Sequence, residues 1–173
     1  MSSFSELYLA DIKRYGDYPI KWEKKFFYYF RKLQTSNNKL LLPFYRYMFF
    51  KIKEKHGVEI SYKTQIGKGF YLGHPYNITI NPKTTIGEYC SVHRGVLIGQ
   101  ENRGKRKGAP TIGNKVWIGI NAVIVGNINI GDDVLIAPNS FVNCDIPSHS
   151  IVFGNPCVTK HKDNATEDYI NIH

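Results

Sequence analysis

A six-residue period dominates the chain. An aliphatic residue, often followed by glycine or a small polar residue, stands at Ile60, Ile66 and Leu72. The series continues through Ile80, Ile86, Val92 and Ile98, displaced by two residues. After an interruption it resumes at Ile112, Ile118, Ile124, Ile130, Ile136 and Val142. A period of six fits neither the 3.6-residue repeat of an amphipathic helix nor simple strand alternation. It is the signature of a parallel β-helix built from hexapeptides. Each hexapeptide supplies a brief strand with one aliphatic side chain pointing inward. The chain then turns a corner, where glycine and small residues tolerate the backbone angles. Three strands close one triangular coil, and coils stack at roughly the 4.8 Å spacing of parallel strands.

The period does not reach the first 56 residues, whose chemistry differs. They hold 12 Lys/Arg against five Asp/Glu, and 15 of the 24 aromatic residues. The remaining 117 residues hold 11 basic and nine acidic groups, so most of the net charge of +9 lies at the N-terminal end. This segment reads as helical. Ser3 or Ser5 caps a first helix ending near Gly16, Pro19 opens a second, and Ser36 or Asn37 caps a third reaching Lys55 with Gly57 as its stop. Pro43 either kinks the third helix or marks its first turn. The aromatic and basic stripes predict a packed face and a solvated face. Peripheral contact with a membrane face stays open, and no nucleic-acid motif accompanies the charge. The stretch LLLPFYRYMFF is too short to span a bilayer, which takes about 20 apolar residues. Three widely spaced cysteines exclude a disulfide framework and suit a reducing cytosol. The expected localisation is cytoplasmic, with the inner membrane face open. The expected organisation is a helical segment over 1–56, a β-helix over 57–160 and a tail over 161–173.

The interruption runs from Gly99 to Thr111 and is too polar to line a core. It is expected to bulge out over 100–111 as an extended loop carrying Arg103, Lys105, Arg106 and Lys107. Long loops on repeat scaffolds often carry the site, so this one is a candidate lid or phosphate-contacting arm.

The hexapeptide run, the extended loop and the ending IPSHSIVFGNPCVTK together resemble the left-handed β-helix acyltransferases. The resemblance is to the serine acetyltransferase branch, and within it to sugar O-acetyltransferases of capsule and O-antigen clusters. It implies a left-handed parallel β-helix of hexapeptide repeats with a short N-terminal α-helical segment, acetyl-CoA as donor, no metal and a homotrimer. The handedness comes from the resemblance, because ordinary parallel crossovers are right-handed. Residues 1–56 are much shorter than the helical domain of serine acetyltransferases.

The chemistry implied is attack of a hydroxyl on a thioester carbonyl, which needs a base of near-neutral pKa. His74, in YLGHPYN, matches the family's catalytic histidine, and Glu59, 15 residues earlier, matches its orienting carboxylate. The resemblance places acetyl-CoA against Gly99, Gly119, Ile120 and Pro138, with Gly154 near the adenine and Lys160, Lys105 and Arg106 as candidate phosphate partners. Gly73, His93, Arg94 and Ala109 are candidates for the acceptor side. Gly73 stands where the family has an Asp that contacts serine's amino group, and Gly108 and Ala109 stand where an Arg-His pair binds its carboxylate. Losing such contacts disfavours an amino acid, so the expected acceptor is a sugar hydroxyl in surface polysaccharide biosynthesis. The alternative is serine O-acetyltransferase of cysteine biosynthesis. A carbonic-anhydrase-type hydrolase needs three histidines around zinc, and no such set surrounds His74 and His93. A catalytically silent scaffold would not require His74 and Glu59.

Overall fold

The computed structural model describes residues 3–18 and 20–172. Three helices, α1 (Phe4–Lys13), α2 (Trp22–Thr35) and α3 (Leu42–Glu54), precede a parallel β-solenoid of about five turns. Numbered in chain order, its first face carries β1 (Glu59–Ile60), β4 (Thr79–Ile80), β7 (Leu97–Gly99), β10 (Val123–Val125) and β13 (Phe141–Val142). The second carries β2 (Gln65–Ile66), β5 (Thr85–Ile86), β8 (Thr111–Ile112) and β11 (Asn129–Ile130). The third carries β3 (Tyr71–Gly73), β6 (Ser91–His93), β9 (Trp117–Ile118), β12 (Val134–Ile136) and β14 (Ser150–Phe153). β15 (Val158–His161) closes the third face as the antiparallel arm of a hairpin.

All thirteen aliphatic positions of the period are buried. They stack in register, as in Ile60 on Ile80 on Ile98 on Ile124 on Val142. A second buried set lies two residues earlier in each repeat and fills the corners: Val58, Ile78, Val96 and Ala122 on one edge, Phe70, Cys90, Val116 and Val134 on another. The column Gly67, Gly87, Gly113 and Gly131 packs backbone on backbone. A Cβ on Gly87 would lie 2.5 Å from the Gly113 carbonyl oxygen.

The helices cap the open end of this stack. The first coil has no preceding strands, so its edge carbonyls and N–H groups need other partners. Side chains from α1 and α2 supply them. The buried Arg31 guanidinium donates to the carbonyls of Ile66 (2.8 Å) and Gly67 (2.7 Å) and pairs with the buried Asp11 carboxylate at 2.7 Å. Asp11 also accepts from the Phe70 N–H at 2.9 Å. Burial pushes the Asp11 carboxyl above its usual range, opposed by its hydrogen bond from Arg31. Arg14 donates to the Gly69 carbonyl at 2.6 Å, and the Tyr15 hydroxyl donates to the Leu72 carbonyl while accepting from its N–H. Phe26, Phe27, Phe30 and Phe49 form the apolar layer of the cap.

The structure corrects three expectations here. Arg31 and Arg14 are buried rather than solvated, because the coil end offers them acceptors. Ser36 caps the C-terminus of α2, and α3 starts at Leu42 with Pro43 in its first turn, where a missing N–H costs nothing. Ser3 caps α1, accepting from the Glu6 N–H, but the helix ends at Lys13 rather than near Gly16. The expectation for Pro19 lies outside the described residues. Leu40, Phe44 and Tyr47 leave an exposed apolar stripe on and before α3. Among the described residues, no helix is long and apolar enough to cross a membrane.

At the far end, the mostly buried Asp133 holds the tail. It accepts from the N–H groups of Ala165 (2.9 Å) and Thr166 (3.0 Å), from the Thr166 hydroxyl (2.8 Å) and from His149 Nδ1 (2.9 Å). Burial alone would raise its pKa; the Thr166 and His149 hydrogen bonds, with the two backbone donors, outweigh it and hold the carboxyl below its usual value.

Two stability predictions follow from the two ends. Asp11→Ala leaves the Arg31 guanidinium buried without its counter-charge, and denaturant unfolding should show a loss of about 3–5 kcal/mol. Asp133→Ala should cost about 1–3 kcal/mol at pH 7. Because the folded pKa of Asp133 is depressed, its contribution is present above the unfolded value of about 3.9 and fades as pH falls through the folded value. Unfolding curves of the variant and parent should therefore converge in acid.

Candidate active site

The site residues fall on two edges of the prism. Where the third face turns into the first, one column runs along the stack. It begins with His74, after β3, and continues through Arg94, whose N–H donates to the Gly73 carbonyl. It proceeds to Ile120, whose carbonyl accepts from the Asn139 N–H, and then to Pro138. Gly154 ends it, its carbonyl accepting from the Phe141 N–H. Gly119 belongs to the same column, because a Cβ there would lie 2.7 Å from Pro138 N. His74 has a left-handed backbone, φ 50°, and is exposed. The tight corner turns its imidazole outward rather than into the coil.

Where the first face turns into the second, a different set gathers. Gly99 closes β7, and its carbonyl accepts from the Gly126 N–H. The loop then leaves the coil as expected and contains a single 3₁₀ turn over Gly104–Arg106. Its base is fastened by paired backbone hydrogen bonds between Glu101 and Gly108. Lys105 and Arg106 are exposed, and the Arg106 carbonyl accepts from the Asn127 N–H. Ala109 is half-buried at the loop's return. Lys160 lies on β15, 5.8 Å over the Phe153 ring.

Glu59 stands at the head of β1 on the first face. It lines a cavity of about 910 Å³ between that face and α3, together with Arg46, Phe50, Lys53, Leu97 and Gly99. His74 is not part of this wall. No hydrogen bond or ion pair joins Glu59 to His74 among the described residues. Within one chain, the structure groups Glu59 with Gly99 and leaves His74 with Arg94, Gly119 and Pro138.

His93 is placed more firmly than sequence reasoning suggested. It pairs in register with Gly73, and its Nδ1 lies 3.0 Å from the Ile118 carbonyl. Only a protonated Nδ1 makes that hydrogen bond, so the tautomer is fixed. Tyr71 and Trp117 flank the ring, with centroids 6.1 and 4.7 Å away. Burial lowers the His93 pKa, opposed by the Ile118 carbonyl and reinforced by the nearby His74. A Cβ on Gly73 would lie 2.3 Å from His93 Cδ2 and 2.6 Å from Nε2. The space a side chain at 73 would use is thus filled by an imidazole. The signal for this was the 20-residue offset of the first coil, which sets 73 beside 93.

Residues 109–144 match the family described as bacterial transferase hexapeptide (six repeats). A serine acetyltransferase of Helicobacter pylori is 36% identical over 107 residues, covering 62% of this chain and 63% of that protein. Serine acetyltransferase 4 of Arabidopsis thaliana is 36% identical over 106 residues, covering 61% and 30%. The chain thus spans less than two thirds of the length of these relatives. Among solved structures, Neisseria gonorrhoeae serine acetyltransferase in complex with serine superposes with a TM-score of 0.70 at 27% identity, covering 91% of this chain and 69% of that one.

These comparisons overturn the sugar acceptor and the polysaccharide branch expected from the sequence, since relatives and structural neighbours alike are named serine acetyltransferases. The physical flaw in that expectation is visible at Gly73. The glycine has no polar group of its own, but His93 brings one into the same volume. The six-residue period and the three-faced parallel coil make the chain a hexapeptide-repeat parallel β-solenoid, and these comparisons make it similar to acyltransferases built on that repeat.

Proposed function

We propose that the protein is an acetyl-CoA-dependent serine O-acetyltransferase acting in the cytoplasm. The observation that carries this reading is the His74 corner. An exposed imidazole sits at the head of a column formed by Gly119, Ile120, Pro138 and Gly154, and the relatives supply the acceptor. In the proposed reaction, His74 takes the proton of the serine hydroxyl as its oxygen attacks the thioester carbonyl. The tetrahedral oxyanion collapses, the carbon–sulfur bond breaks, and the imidazolium returns its proton to the leaving thiolate of CoA. The pantetheine arm lies along the small-residue column. Lys105, Arg106 and Lys160 are the cations proposed for the phosphates, and Arg94 and the basic loop for the serine carboxylate.

The arrangement of the two edges supports a homotrimer. His74 and its column lie on one edge, whereas Gly99, Ala109 and the basic loop lie on another. A pocket that buries most of an extended ligand needs two walls. Three-fold closure sets the first edge of one copy against the second edge of its neighbour. Glu59 orients His74 across or beside that boundary.

Thiol release from acetyl-CoA should depend on added L-serine, and the O-acetylated amino acid should be recovered by mass spectrometry. Absence of L-serine-dependent release at millimolar acceptor would sink the reading. His74→Ala should reduce turnover about 10²–10⁴-fold while the circular dichroism spectrum is kept. Retained turnover within tenfold of the parent would remove His74 from the chemistry. Light scattering should give three times the 19.9 kDa chain mass; a fully active monomer would refute the shared site.

A further inference from the structure

Two of the three cysteines meet at the far end of the stack. Cys144 follows β13 and is exposed, and Cys157 directly precedes β15 and is half-buried. Their sulfurs lie 3.8 Å apart. Both thiols stand on anchored backbone. Ahead of them, the Phe141 N–H donates to the Gly154 carbonyl at 3.0 Å, tying the two chain segments together. Directly after Cys144, the Asp145 carboxylate accepts from the Asn129 N–H at 2.7 Å, and the Ile146 N–H donates to the Asn129 carbonyl at 2.9 Å. Directly after Cys157, Val158 pairs with Phe153 in the closing hairpin. Coil register therefore holds the two thiols side by side. Cys90 is the contrast. It is buried in a corner of the coil, its thiol donates to the Gly113 carbonyl at 3.1 Å, and burial pushes its pKa up to about 12.

A disulfide needs its sulfurs about 2.05 Å apart, so the pair is short of a bond by a displacement of roughly 1.8 Å. We propose that Cys144 and Cys157 form a redox-modification site, oxidised by small disulfides of the glutathione class to an intrachain bond that staples the terminal hairpin to β13. Cys144 is the more exposed sulfur and meets the oxidant first. Its thiolate attacks one sulfur of the small disulfide, whose S–S bond breaks and releases one thiolate. The Cys157 thiolate then attacks the Cys144 sulfur of the mixed disulfide and expels the second. The two cysteines lose two electrons and two protons, and the oxidant leaves as two thiols. Burial raises the Cys144 pKa, reinforced by the hydrogen bond and charge of Cys157 and opposed by Arg106. Little of it is thiolate at neutral pH, so exchange is slow and the site answers to a sustained oxidising shift. In a reducing compartment both thiols stay free. The site stands independently of the acceptor assignment.

The experiment incubates the full-length protein with an excess of oxidised glutathione or, in parallel, with dithiothreitol. Thiols counted after denaturation should fall from three to one on oxidation, leaving Cys90. Peptide mapping should join Cys144 to Cys157, and dithiothreitol should restore all three thiols. The bond closes a short loop, so the oxidised protein should melt about 5 °C or more above the reduced one. Cys144→Ser and Cys157→Ser each remove one partner at the surface end of the stack. Oxidation should leave each variant with at most a glutathione adduct on the remaining cysteine and no rise in melting temperature. Three thiols surviving prolonged oxidation would overturn the proposal. So would a bond that links two chains on a non-reducing gel, or stable glutathione adducts on both cysteines of the parent. An intrachain bond that leaves the melting temperature unchanged would refute the staple.

Discussion

The buried Asp11–Arg31 pair is the interaction on which the rest of the molecule depends. A parallel coil leaves its first turn with strand edges that nothing in the repeat can satisfy. Arg31 meets two of those carbonyls, and Asp11 fixes Arg31 while accepting the Phe70 N–H. Desolvating both charges is expensive, and it is offset because all five Arg31 N–H groups find acceptors and the Asp11 carboxylate accepts three hydrogen bonds. The helical segment is therefore a lid on the stack, and its aromatic layer is the underside of that lid. The first coil, held in place this way, carries Glu59 and His74.

The candidate site depends on how corners are built. The turn after β3 places His74 outward with a left-handed backbone; in the coils below, the left-handed residue at this corner is Gly95, Asn121 or Asn139, each directly after Arg94, Ile120 or Pro138. The interruption after Gly99 uses a different corner to project its cations. The His74 corner and the exposed loop cations thereby stand at opposite edges of one face of the prism. That separation makes assembly a requirement for the proposed reaction rather than an embellishment.

Much of the fold was legible because one physical fact, an inward aliphatic every six residues, wrote itself into the sequence. Ile60 through Val142 could be read directly. The second buried set, with Cys90, Ala122 and Thr84 among its members, was not, since small and polar residues in corners look like turn residues. Arg31 misled for a similar reason: a basic residue on an amphipathic helix reads as solvated unless the strand edge beneath it is known. His74 was singled out from its motif, and the structure places it exposed at a corner. His93 was visible only as a candidate, because its fixed tautomer and its position over Gly73 arise from coil-to-coil register. The acceptor was misjudged by treating position 73 as an isolated site, when its volume belongs to the next coil.

The two ends of the stack are unlike. One is closed by a fully buried ion pair and a layer of phenylalanines, the other by a two-stranded hairpin and a tail held through Asp133. In a structure where each coil touches only its neighbours, such asymmetry gives unfolding a direction. Fraying from the hairpin end, coil by coil toward the helices, is the expected course, with Gly154 and Pro138 losing their order before His74. Under the proposed function, the column given to the donor would then be lost while the His74 corner still stands, a graded failure that a globular core with one cooperative transition would not allow.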